Sequence, residues 1–435
     1  VRSIKKYTLE NPSEFKLKLL QWAQQFDEIT WMDSNDFTQQ YSSFDGILAV
    51  EAFTAIKTDY HNGFDSLKEY QEQSGDWIFG YLSYELKNDT EELVSRNKDE
   101  LEFPDLYFFQ PKKIFFFIGD VLEMHYLRMV DDEIEEDFKT ISTTLLTTQN
   151  KAEESPCGKI KISLRITKDI YKEKVNAMLT HIYRGDIYEA NFCQEFFAKE
   201  SCINPLQTYH HLNAISRPPF ATFLKIDKHY LLSASPERYL RKEGQKIISQ
   251  PIKGTAKRSK NRVEDEKLVS ALKNDPKERS ENVMIVDLVR NDLSRTAVKG
   301  SVTVEELCKV YSFNQVHQMI STVVSKIDET TSPVDIIKTT FPMGSMTGAP
   351  KISAMQIIED LEESKRGLYS GAVGYFTPTG DFDFNVVIRS ILYNEEKKYI
   401  SYTVGGAITA ESDPDKEYEE CLLKAKAMRE VLEAS

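Results

Sequence analysis

Short strand-sized apolar runs, not long helical stripes, limit what this sequence can become. Residues 77–84 (WIFGYLSY), 106–109, 113–118, 121–130, 187–197, 221–226, 371–377, 384–393 and 398–404 are rich in aromatic and β-branched side chains. Such side chains pack well on a pleated, half-buried surface. Residues 159–166 alternate apolar and polar and read as a further strand. Helical periodicity marks residues 11–26, 169–183, 277–289, 333–340 and 351–361, and Asp413-Pro414 reads as the capped start of a closing helix. Helices scattered among many sheet-forming runs predict a mixed α/β or α+β architecture, not a simple alternation. At 435 residues the chain exceeds one minimal core, so two domains or one intimately joined unit are expected. The polar stretch 147–156 is the linker candidate, dividing residues 1–150 from 158–435.

Charge narrows the partners. A formal net charge of −14 argues against a nucleic-acid or anionic-membrane surface. An anionic substrate would then need local positive charge from Arg, Lys, a metal or backbone N–H groups. No apolar run reaches the roughly 20 residues of a membrane-spanning helix, and the first residues lack a basic-then-apolar leader pattern. Five cysteines without a C-x-x-C pair fit a reduced, cytoplasmic setting better than a disulfide framework.

Several residues stand out chemically. Glu278 and Glu281, and again Glu417 and Glu420, lie three apart on predicted helices. That spacing puts like charges side by side, which mildly disfavours a helix. Two such pairs either are solvated acidic faces or converge as oxygen ligands on one divalent cation such as Mg²⁺. Lys253 sits in Pro251-Ile252-Lys253-Gly254-Thr255, within a basic loop spanning 249–262. Against an apolar wall or another cation it could lose its proton and act as nucleophile or base; otherwise it is a solvated loop lysine. Gly344 and Gly348 precede a helix and could aim backbone N–H groups at an anion, or form an ordinary turn. Gly405 and Gly406 end a strand and would let backbone approach a carboxylate. Arg389 shares a predicted strand face with Val387 and Ile391, where it needs either a bound carboxylate or an acidic side chain as partner. Neither a G-x-S-x-G elbow nor a zinc-like His cluster is present.

In order along the chain, several segments resemble the chorismate-utilising enzymes, which include anthranilate synthase large subunit, aminodeoxychorismate synthase component I, isochorismate synthase and salicylate synthase. The matching segments are Ser235-Pro236-Glu237, Gly254-Thr255, 281–292 (ENVMIVDLVRND), 344–351 (GSMTGAPK), 366–375 (RGLYSGAVGY), Ile388-Arg389-Ser390, Gly405-Gly406-Ala407 and 417–420 (EYEE) with Lys424. The resemblance covers about 185 to 430, with residues 1–150 as a weaker match to the family's N-terminal region. It implies a large chorismate-binding fold with antiparallel sheets packed face to face and flanking helices.

Lys253 is similar to the lysine of aminodeoxychorismate synthase component I, whereas anthranilate synthases usually carry Ala there. The resemblance therefore implies Mg²⁺-dependent amination of chorismate to 4-amino-4-deoxychorismate, for 4-aminobenzoate and folate synthesis. Lys253 would attack ring C2, and Glu237 would be the general acid/base. Glu278, Glu281, Glu417 and Glu420 would hold the metal. Gly254, Thr255, Ser345, Tyr369, Arg389, Gly405, Gly406 and Lys424 would bind substrate. Ammonia would come from a separate glutamine amidotransferase subunit, because this sequence shows no Cys-His-Glu machinery. Two departures are visible: Gln318 stands where the family often has His, with His317 one place earlier, and Glu189 stands where many relatives have Gln. Anthranilate synthase component I and a catalytically silent chorismate-binding protein are the alternatives.

Overall fold

The computed structural model describes residues 1–37, 40–146, 158–313 and 316–434, so the linker candidate at 147–156 lies outside the described residues. Twenty strands among the described residues join through hydrogen bonds into one antiparallel network, flanked by helices. The mixed α/β class follows from the sequence as read. Strands Ile78–Leu82, Ala372–Phe376 and Ser390–Asn394 are buried along their whole length, which is why they read as continuous apolar runs.

N-terminal and C-terminal segments share these sheets. Ile78–Leu82 pairs with Ala372–Phe376, and Glu28–Asp33 pairs with Phe220–Ile226. Trp77, Phe79 and Phe116 pack around the Tyr375 region with ring centroids 5.1–5.7 Å apart, a spacing at which aromatic pairs add to simple area burial.

Tertiary context redraws some expected elements. Residues 106–109 and 113–118 belong to one strand, Leu106–Ile118, which continues through Pro111. The register shifts between Ala52 and Thr54 on the facing strand, where Pro111 lies opposite Ala52. Proline is tolerated at such a bulge because a regular ladder donor is not required there. Only Ser163–Leu164 of the alternating run 159–166 joins the sheet; Ile160 and Ile166 are buried in the core instead. The run 384–393 divides into Phe382–Val386 and Ser390–Asn394, broken where Arg389 takes φ 53°. The basic stretch 249–262, expected as a loop, contains a strand, Ile252–Lys257, and leads into a helix capped by Asn261. Gly405 and Gly406 lie inside the strand Tyr399–Ile408, not at its end.

Two helices matter most for the site. Pro276–Ser294 and Pro414–Glu433 both open with proline after an Asp N-cap. Asp275 accepts from the N–H groups of Lys277 and Glu278, and Asp413 from those of Asp415 and Lys416. These caps satisfy backbone donors that an uncapped helix leaves open. They start the helices so that Glu278 and Glu281 on one, and Glu417 and Glu420 on the other, fall within the first turns. Of the cysteines, Cys193, Cys308 and Cys421 are buried and free, and Cys202 is disulfide-bonded. No helix among the described residues is long and apolar enough to cross a membrane.

Candidate active site

Lys253 is carried on the strand Ile252–Lys257, whose register against Val316–Lys326 shifts between Ile252 and Thr255. Gly254 makes that irregularity possible: its φ is +97°, and a Cβ there would lie 3.0 Å from Glu278 Oε2. Asn282 pins the bulge from the neighbouring helix by donating to the carbonyls of Lys253 and Met319, both at 3.2 Å. Lys253 Nζ then reaches Glu189 Oε1 at 2.9 Å, with both side chains nearly excluded from solvent.

The sequence left an easily deprotonated lysine and a solvated loop lysine open; the structure instead pairs Lys253 with a buried carboxylate. Burial lowers the proton affinity of Lys253, but Glu189, Glu281 and Glu237 outweigh it, and the net shift is upward. The resting group is a buried ammonium. Glu189, which the sequence marked only as a departure, is its partner 64 positions away.

Glu237 follows the strand His229–Ser235 and is buried. Burial pushes its carboxyl up to about 7, against smaller lowering effects from the Ser345 hydroxyl and the Lys253 charge. A carboxyl that holds its proton near neutrality can act as a general acid. Ser345 comes from the turn Gly344–Met346. The neighbouring Gly348 and Ala349 are spent in pairing with Ala190 and Glu189, so the expected anion cradle there is instead a two-residue strand.

The four expected metal-ligating glutamates converge electrostatically. Burial raises Glu281 to about 7 and also raises Glu278 and Glu417. Repulsion from Glu420 contributes at Glu417 on its own helix and at Glu278 on the other, which connects the two helices. Glu420 itself is held low, mainly by Lys424, whose Nζ is 2.8 Å away and also donates to the Gly405 carbonyl at 2.9 Å. Lys277 feels the field of all four glutamates. A Cβ on Gly406 would lie 3.2 Å from Glu417 Oε2 and 4.0 Å from Glu420 Oε1, so a side chain there would crowd these carboxylates. No group of three or more Asp, Glu, His or Cys side chains closes to metal-ligand geometry among the described residues. The donor set, four glutamate carboxylates on two helices, is of the oxygen-only kind that a hard divalent cation takes.

Arg389 lies on a break between strands, not on the alternating face expected for it, and its left-handed backbone is a strained state for a non-glycine residue. One guanidinium nitrogen donates to the Lys424 carbonyl at 3.2 Å. Among the described residues no carboxylate forms an ion pair with it, which leaves donors for an anionic ligand. Tyr369, buried beside it, lies in its field and places its hydroxyl 3.7 Å from Cys193 Sγ.

Thr255 lies opposite Gln318 in the strand register, whereas His317 is fully buried and bonded to Asp265 at 2.9 Å and Ser312 at 2.8 Å. Successive strand residues face opposite sides. His317 therefore belongs to a helix-facing network and does not substitute for a histidine at position 318.

Comparison with known proteins agrees with this geometry. The profile of the family described as chorismate binding enzyme matches residues 5–430. The chain is 35% identical over 369 residues to an anthranilate synthase component I-like protein of Synechocystis sp., covering 85% of this chain and 75% of that protein. It is 37% identical over 372 residues to an aminodeoxychorismate synthase of Streptomyces griseus, covering 82% of this chain and 50% of the relative. Its fold is similar to that of anthranilate synthase component I from Streptococcus pneumoniae TIGR4, with a TM-score of 0.76 and 24% identity over 90% of this chain and 95% of that one. A family match spanning nearly the whole chain, together with the convergence of these acidic, basic and glycine-lined segments, places this chain in the chorismate-binding enzyme family.

Proposed function

We propose that this chain is aminodeoxychorismate synthase component I, which replaces the C4 hydroxyl of chorismate by an amine. The observation that carries this reading is the buried ammonium of Lys253, held 2.9 Å from Glu189 and within the field of Glu237 and Glu281. An aliphatic residue at that position would leave Glu189 buried without a counter-charge. Relatives with aminodeoxychorismate and anthranilate names occur at comparable identity, so the lysine carries the distinction.

The chemistry divides among this chain's residues. Lys253 passes a proton to Glu189 and its amine attacks C2. Both ring double bonds shift, C1=C2 to C1=C6 and C5=C6 to C4=C5, the C4–O bond breaks, and Glu237 protonates the departing oxygen, giving water. Ammonia then attacks C4, both double bonds return, and the C2–N bond to Lys253 breaks. The C4 ammonium gives its extra proton to Glu237, and Glu189 returns its proton to Lys253, so protons balance. Arg389 and Tyr369 hold the enolpyruvyl carboxylate, assisted by backbone N–H groups around Gly405 and Gly406, while Lys424 adds positive charge. Gly254, Thr255 and Ser345 border the ring site.

Glu278, Glu281, Glu417 and Glu420 would hold Mg²⁺, directly or through water. When bound, the ion would neutralise the ring carboxylate and withdraw electron density from the allylic system. Glu281→Gln and Glu420→Gln are each expected to raise the half-saturating Mg²⁺ concentration at least about tenfold, in line with the loss of one charged ligand. Magnesium titration calorimetry with unchanged affinity in both variants would remove the ligand assignment.

Ammonia is proposed to come from a glutamine amidotransferase partner, with free ammonium as the substitute in its absence. The decisive test is the product formed from chorismate, Mg²⁺ and ammonium. 4-Amino-4-deoxychorismate, convertible to 4-aminobenzoate by an added lyase, is the expected outcome. Fluorescent anthranilate would assign the chain to the anthranilate branch, and unchanged chorismate would make it a silent binder.

A further inference from the structure

Arg366 is buried and makes contacts unlike those of an ordinary ion pair. Its Nε and one Nη donate to Glu362 at 2.9 and 2.6 Å. The same Nη donates to the Asn191 carbonyl at 2.7 Å, and the other Nη to the Met346 carbonyl at 2.6 Å and to Ser370 Oγ at 3.4 Å. The guanidinium lies over the Tyr84 ring, 4.6 Å from its centroid. Glu362 Oε1 also accepts the Cys193 N–H at 2.9 Å.

Four of the groups that Arg366 and Glu362 hold, on Asn191, Met346, Ser370 and Cys193, are neighbours of site residues. Asn191 is two residues from Glu189, the partner of Lys253. Met346 follows Ser345, whose hydroxyl lowers the proton affinity of Glu237. Ser370 follows Tyr369, and Cys193 is paired with Gly405 across the sheet. We propose that Arg366, clamped by Glu362, is a positioning residue that holds the Glu189, Ser345 and Tyr369 segments in register around the substrate. A guanidinium suits this task because its five donors form a rigid planar fork. A lysine keeps the charge but cannot span the same acceptors. The proposal rests on the reading of Glu237 as general acid.

Two groups bear on the Glu237 carboxyl, the Ser345 hydroxyl and the Lys253 charge, and both lower its proton affinity. Loosening either segment therefore moves the alkaline limb of the rate profile upward. The test uses the full chain with chorismate, Mg²⁺ and ammonium, comparing Arg366→Lys, Glu362→Gln, Ser345→Ala and the Arg366→Lys/Ser345→Ala double variant. Arg366→Lys is expected to lower kcat at least about tenfold and to move the alkaline limb up by about half a pH unit. Ser345→Ala is expected to move the limb the same way, with the double variant moving it no further than the larger single shift. Glu362→Gln is expected to reproduce the Arg366→Lys profile.

A limb moved by Ser345→Ala but not by Arg366→Lys, or shifts that simply add, would overturn the positioning role alone. A limb unmoved by Ser345→Ala would remove the Glu237 reading and this proposal with it. Failure of both Arg366→Lys and Glu362→Gln to yield folded protein would make the pair a determinant of the fold, and would also overturn the proposal.

Discussion

Lys253→Ala is expected to lower kcat for chorismate amination by about 10³-fold, within the range spanned by loss of one positioned acid, base or nucleophile. A covalent adduct at residue 253, visible by mass spectrometry of a quenched wild-type reaction, should vanish. The substitution also strands a buried carboxylate: Glu189 loses its partner at 2.9 Å. Breaking a buried pair by removing one member costs about 3–5 kcal/mol, so some activity could be lost through unfolding alone. The double variant Lys253→Ala/Glu189→Gln separates the two effects. It should recover much of the lost thermal stability without recovering activity. Recovery of amination by the double variant would exclude Lys253 as nucleophile, as would a quenched wild-type reaction with no adduct.

Glu237→Gln is the second large effect. Glutamine keeps the shape but cannot donate a proton to the leaving oxygen, so kcat is expected to fall by about 10² to 10⁴-fold. In the unaltered enzyme the sign of the pH dependence follows from the carboxyl being raised to about 7 by burial. Its protonated form is the catalytically useful one, so kcat should decline as pH rises through about 7. The stability contribution has the same direction. The folded chain retains this proton after the unfolded chain has released its own, so stability attributable to Glu237 falls between the ordinary carboxyl range and about 7, then levels off. A kcat profile flat from pH 6 to 8, or a Glu237→Gln enzyme with near-normal turnover, would contradict the acid role.

Much of the framework was legible in the amino-acid order. Helix starts were visible because Asp275-Pro276 and Asp413-Pro414 combine a cap acceptor with a residue preset for the first turn. The helices Pro333–Thr340 and Lys351–Leu361 follow the expected bounds, since apolar periodicity is a local property. The deviations occur where backbone and neighbours compete with local pattern. The run 384–393 alternates well enough to suggest one strand, yet Arg389 breaks it with a positive φ. The basic stretch around Lys253 lacks a strong strand pattern, yet it pairs with Val316–Lys326 because the ladder supplies partners for its backbone.

The sequence by itself determined the family motifs, the mixed α/β class, the Asp-Pro helix starts and the i,i+3 acidic pairs, because each depends on neighbours a few positions apart. Tertiary structure alone decided that Glu189 holds Lys253 as an ammonium, that His317 is turned into a helix-facing network, and that Arg366 ties three distant segments together. These outcomes depend on buried charges meeting across the sheet network. Where water is excluded, the nearest opposite charge sets a group's protonation, and only the folded chain specifies which charge that is.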